Sequence, residues 1–149
     1  MGDDRVWCEF AASMLARRLE RMFALMPDVM SPSGTEPIHQ MRVWSRRSRS
    51  AFELILCCDN SKETQKLETE LKRVASTLSK ARDLDVMIQN LEARTAKLPE
   101  EQRSGLNEFV GRLSAQRITA QRDVERAVER VNEKHVMQRF NDLVGHWSK

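Results

Sequence analysis

Apolar residues recur at the 3.6-residue spacing of a helix along almost the whole 149-residue chain, and little in the sequence interrupts them. Glycine (5) and proline (4) are scarce, which lets helices run long. Cys8, Ala12, Leu15, Leu19, Met22 and Met26 share one face and predict a first helix from about Asp4 to Met26. The stretch from Pro27 to Pro37 holds three prolines and a glycine and reads as a loop. Thr35 is the expected N-cap of a second helix, with Pro37 in its first turn, running to about Cys58. Asn60 and Glu63 have capping-box spacing. The third helix then runs through Leu67, Leu71, Val74, Leu78, Ala81, Ile88 and Leu91 to about Thr95. Pro99 opens a fourth, striped by Leu106, Val110, Leu113, Ala120, Val124, Val128 and Val131. A break near residues 132–135 precedes a fifth helix ending near Trp147. The expected fold is all-α: an antiparallel four- to five-helix bundle, one domain spanning residues 1–149.

The formal net charge is only +3, so the placement of charge matters more than its sum. Three cysteines, Cys8, Cys57 and Cys58, form an odd set without metal-ligand spacing and are expected as free thiols of a reducing compartment. No apolar run approaches the ~20 residues of a membrane helix. The N-terminus, with Asp3 and Asp4, lacks a signal-peptide pattern. A cytoplasmic protein without membrane contact is the expectation.

The second predicted helix carries the sharpest chemical signal. Residues 37–52 hold four arginines, one histidine and no acid. At ~100° per residue, His39, Arg42, Arg46 and Arg49 fall within roughly 80° of one another, whereas Arg47 points elsewhere. Met41, Trp44, Ala51, Phe52 and Ile55 occupy the other side. Like charges at these spacings repel by a few tenths of a kcal/mol per pair, so a helix that needed only solubility would intersperse Glu. Arginine's planar fork suits bidentate phosphate contact, and a histidine in line adds charge as the pH falls. The row therefore reads as a polyanion surface.

Two polar residues sit on apolar stripes. Asp85 lies near the centre of the third helix's stripe with Arg82 at its edge. A buried carboxylate needs a partner. Arg82 or an arginine of the second helix is expected to supply it, with Asp85 orienting arginines rather than touching an anion. Arg117 falls between Leu113 and Ala120 on the fourth stripe, where a bundle-edge residue snorkelling to water is an equal reading.

The run Ile38-His39-Gln40-Met41-Arg42-Val43-Trp44-Ser45-Arg46-Arg47-Ser48-Arg49 resembles the signature of the CHAD domain, the conserved histidine α-helical domain. Leu71-Lys72, followed by Leu78-Ser79-Lys80-Ala81-Arg82-Asp83-Leu84-Asp85-Val86, resembles its second signature. The resemblance covers residues 36–56 and 66–91. It implies a helical protein that binds inorganic polyphosphate through a basic surface, often at polyphosphate granules and sometimes joined to a CYTH-type triphosphatase domain. On matching positions the anion-binding residues are His39, Arg42, Arg46, Arg49, Lys72 and Arg82, with Arg47 a weaker match. The chain departs from the pattern at Ser79, where the family usually has glycine and a kink. The resemblance also implies two four-helix bundles, of which this chain holds the first. A truncation, a degenerate copy and a half that pairs with another chain, including a homodimer, all stay open.

The expected function is non-catalytic polyphosphate binding, with no cofactor and no metal. Nucleic-acid binding is the first alternative, but the sequence has no helix-turn-helix signature and no aromatic stacking platform. A scaffold or interaction bundle is the second. An enzyme is disfavoured by the lack of a P-loop, a nucleophile elbow or a carboxylate cluster. His39, His135 and His146 share no ligand spacing. Trp7, Trp44 and Trp147 read as core or bundle-edge residues, and the methionines from Met22 to Met30 as packing.

Overall fold

The computed structural model describes residues 2–31 and 34–148. Five long helices are joined by short connections, and no strand occurs among the described residues. They are α1 (Gly2–Ala24), α3 (Glu36–Leu56), α4 (Lys62–Thr95), α5 (Arg103–Glu133) and α6 (Val136–Trp147). A short α2 (Met26–Met30) follows α1, and a single 3-10 turn (Glu100–Gln102) precedes α5. The all-α bundle expected from the stripes is the fold found.

Several boundaries differ from the sequence expectation. The first helix stops at Ala24, and part of the expected loop is the helix α2, whose Met26 and Val29 turn into the core. Pro27 fits there because a proline in the first turn gives up an N–H that has no helical partner anyway. Pro32 and Ser33, in the middle of the expected loop, lie outside the described residues. Thr35 precedes α3 but makes no side-chain cap; its Oγ1 instead accepts a hydrogen bond from Gln89 Nε2 at 3.1 Å. The cap of α4 is Ser61, not Asn60: Ser61 Oγ accepts from Thr64 N at 3.2 Å. Asp59 braces this start, accepting from Ser61 N and from Thr64 Oγ1. Burial acts to raise the Asp59 carboxyl, but the hydrogen bonds from Ser61 and Thr64 outweigh it and hold it below its ordinary 3.8. Pro99 leads into the 3-10 turn before the α-helix begins. The break between α5 and α6 lies where expected, with His135 in the left-handed region at φ 50°. α4 runs without interruption through Ser79.

Helices α1, α3, α4 and α5 pack side by side, each antiparallel to the one before. Cys8 lies against Cys58, Thr35 against Gln89, and Glu70 against Arg130, which fixes the direction of each pair. α1 and α5 do not touch directly; α2 fills one end of the gap between them and α6 the other. α6 enters the core through Phe140, whose ring meets Phe23 at 6.1 Å and Phe52 edge-on at 5.8 Å. Leu15, Met22, Ile38, Met41, Leu67, Leu71, Leu78 and Val124 complete a single core, and all are fully buried. Each such side chain stabilises by about 1.5–3 kcal/mol through burial.

Charged pairs tie the outer helices to α4. Arg130 holds Glu70 through two hydrogen bonds of 3.1 and 2.9 Å, and Arg139 reaches Glu63 at 2.6 Å. The Arg130 guanidinium lowers the Glu70 carboxyl below its ordinary 4.5, against the opposing effect of burial.

The cysteines correct the expectation of three free thiols. Cys8 and Cys58 form a disulfide between the start of α1 and the end of α3, and Cys57 alone is free. Their sequence separation of 50 hid the pairing, which exists only because α1 and α3 are antiparallel. Closing so long a loop restricts the unfolded chain. Reduction is expected to lower unfolding stability by about 2–4 kcal/mol. Urea unfolding with and without dithiothreitol measures this, and equal midpoints would contradict it.

Candidate anion-binding site

α3 turns Ile38, Met41, Ser45, Ser48, Phe52 and Ile55 into the core. Two of these are serines, which no apolar stripe marks. Ser45 Oγ satisfies itself on the carbonyl of Arg42 at 2.7 Å, and Ser48 Oγ is buried without a partner. Their small side chains let α3 sit close to its neighbours. The basic residues flank this seam on both sides, and the two flanks face different helices.

One flank faces α4. Two observations fix its register. Thr35 meets Gln89 at one end. At the other, Arg49, Phe52 and Glu53 share a cavity of about 110 Å³ with Glu68, Leu71 and Lys72. Both helices rise equally per residue, so between these points Arg82 stands level with residues 39–42 of α3. The basic residues of the two motifs thus flank the α3/α4 contact, His39, Arg42, Arg46 and Arg49 on α3 and Lys72 and Arg82 on α4, with Arg49 and Lys72 sharing one cavity.

These basic residues differ in their surroundings. His39 and Arg42 are half-buried, and each buries a nitrogen, His39 Nδ1 and Arg42 Nε, that no protein acceptor meets. Arg46 and Arg49 are exposed and Arg82 is half-buried. None of these arginines forms an ion pair among the described residues. Lys72 differs: Glu68, one turn earlier on α4, holds it at 2.8 Å. Glu53 and Glu68 therefore temper the Arg49–Lys72 end, while His39, Arg42 and Arg82 form no ion pair among the described residues. The absence of acid within residues 37–52 is real, but folding brings acid to one end from just beyond that window and from α4.

Arg47 does not join this set. It lies over the Trp44 ring at 4.7 Å, on the flank facing α1.

Asp85 is buried and paired, but neither expected partner supplies the charge. Arg117 Nε of α5 donates to Asp85 Oδ1 at 2.7 Å. Both side chains are largely withdrawn from water, at 15% and 6% exposure, so Arg117 is not a snorkelling edge residue. Arg117 Nη1 also donates to Gln121 Oε1, and Gln121 Nε2 donates to the carbonyl of Val29 at 2.8 Å. This relay fastens α4 to α5 and both to the end of α2. A signal was present in the sequence: an acid and a base each interrupt an apolar stripe on helices joined by a short turn. Arg82 is thereby left free of Asp85.

A model of one protein family, described as the CHAD domain, matches residues 13–149. No curated protein and no solved structure gives a significant match.

The Asp85–Arg117 geometry has a measurable consequence. Arg117→Ala would leave a buried carboxylate without its counter-charge, at a cost of about 3–5 kcal/mol. Arg112→Ala, which breaks only an exposed pair with Glu108, should cost less than about 1 kcal/mol. Urea unfolding of the two variants tests the contrast, and equal losses would contradict it.

Proposed function

The chain belongs to the CHAD-domain family, and from that premise we propose that it binds inorganic polyphosphate, without cleaving it, along the groove between α3 and α4. One observation carries this reading. Arg42, Arg46 and Arg49 share one flank of α3 beside α4, which carries Arg82, and none of the four forms an ion pair among the described residues. The buried Nε of Arg42, always a donor, has no acceptor among the described residues and adds to it, since buried donors ordinarily find one. Arginine forks give two parallel contacts to neighbouring phosphate oxygens, and Lys72 acts as a point charge at the tempered end. Asp85 has a supporting role, holding the α4/α5 pair against which α4 presents Arg82.

Polyphosphate carries closely spaced charges and condenses counterions, so binding releases ions and weakens steeply with salt. Arg42→Glu with Arg46→Glu should remove the polyphosphate bound at the α3/α4 groove, sharply lowering total uptake, and leave helical circular dichroism unchanged. A folded double variant that binds undiminished would defeat the proposal. No helix among the described residues is long and apolar enough to cross a membrane. A cytoplasmic location near polyphosphate granules belongs to the same proposal. The Cys8–Cys58 pair sets a condition on it, because a reducing cytoplasm would hold both as thiols.

Pairing with a second copy or a second bundle is also proposed. Met87, Phe109 and Ile118 of α4 and α5 are exposed at 43%, 44% and 60%, apolar side chains that a partner could cover. Light scattering at high concentration should show a mass above the monomer; a strictly monomeric mass would count against the homodimer.

A further inference from the structure

The opposite flank of α3 holds a second concentration of arginine. α1 and α3 run antiparallel, and Arg18 Nη1 donates to the Arg47 carbonyl at 2.6 Å. In the same register Arg21 lies over the Trp44 ring at 5.5 Å, and Arg47 lies over it at 4.7 Å. Arg17, Arg18 and Arg21 line a cleft of about 640 Å³ whose floor includes Met14 and Trp44. Glu20 is the one acid among the residues lining it. None of Arg17, Arg18, Arg21 and Arg47 forms an ion pair among the described residues. These four arginines and Glu20 sum to the same formal charge as the entire chain, +3.

Covering a half-exposed tryptophan does not account for this arrangement. Stacking on Trp44 stabilises each overlying guanidinium by about 0.5–1 kcal/mol at an exposed site. It occupies the faces of Arg21 and Arg47, not their in-plane N–H donors. Arg18 spends one N–H on a carbonyl and keeps the others. Arg17 has no ion pair among the described residues to offset three like charges beside it. A cleft lined by several guanidinium forks, with Met14 and Trp44 among its lining, suits an anion with several oxygens in a row.

We infer that the α1/α3 cleft is a second anion site, for a short run of consecutive phosphoryl groups, separate from the α3/α4 groove. Arg17 and Arg18 bind the phosphates, and Trp44 holds Arg21 and Arg47 in place to complete the contact. The recognised chemistry is the phosphate run itself, whether free or carried by a nucleoside. This site shares no side chain with the groove, so either can fail without the other.

Calorimetric titration with tripolyphosphate tests it on the full chain, alongside Trp emission. Wild type should take up two equivalents, with a change in Trp emission that Trp44→Phe removes. Arg17→Glu with Arg21→Glu, both exposed positions, should lose one equivalent together with the emission change. Arg42→Glu with Arg46→Glu should lose only the other equivalent. Arg94→Glu with Arg122→Glu, a charge-matched control on exposed sites elsewhere, should keep both. The inference is overturned if the α1 variant retains both equivalents, or if the control loses as much as the α1 variant. Failure of the groove reading is distinct, appearing as full uptake by the Arg42/Arg46 variant. ATP in place of tripolyphosphate assigns the source: equal affinity identifies the free phosphate run, and tighter ATP binding that Trp44→Phe abolishes identifies the nucleoside form.

Discussion

The packing of α3 against its neighbours governs everything else in this molecule. Its inward residues include Ile38, Met41, Phe52 and Ile55, all fully buried. Each contributes about 1.5–3 kcal/mol by leaving water. Repulsion within the basic row amounts to a few tenths of a kcal/mol per pair. Burial therefore wins by a wide margin, and α3 tolerates a density of arginine that an isolated helix would resist. The same seam dictates geometry: once Phe52 and Leu71 are locked into the core, the residues on either side of them have little freedom in where they stand.

Three acid–base pairs join α4 to the helices packed on it. α4 and its partners α5 and α6 match acid with base at Asp85–Arg117, Glu70–Arg130 and Glu63–Arg139. α3 keeps its arginines apart from such matches, apart from the acid that Glu53 and Glu68 bring near Arg49 and Lys72. The pairs on the α4 side tie it to α5 and α6, and under the proposed function the unmatched cations on α3 are those that meet the polyanion. Both candidate sites use α3 as a shared wall, one facing α4 and the other facing α1.

Much of this was legible in the sequence, and the exceptions share a cause. Regular stripes such as Leu67–Leu71–Val74–Leu78 located α4 because helical periodicity is a local property. The break at His135 was visible for the same reason. The basic row, too, needed only the angle between successive residues. The seam's Ser45 and Ser48 were invisible because burial of a serine depends on what lies opposite, not on its own chemistry. Asp85 clearly required a counter-charge, but choosing Arg117 over Arg82 required knowing which helix packs on which. Cys8 and Cys58 met for a tertiary reason alone. The Arg–Trp44 cluster is likewise tertiary, since only the packing of α3 on α1 brings Arg18 and Arg21 to Arg47 and Trp44.

The central claim is that the unmatched cations between α3 and α4 form the polyphosphate surface. Backbone amide shifts followed by NMR during a polyphosphate titration test it most directly, and a chain of 17.3 kDa is well suited to that measurement. The account predicts large, saturable shifts at residues 39–49 of α3 and around Ser79 and Arg82 of α4, diminishing as salt rises. Shifts confined to α5 and α6, or spread evenly over every exposed lysine and arginine, would contradict it.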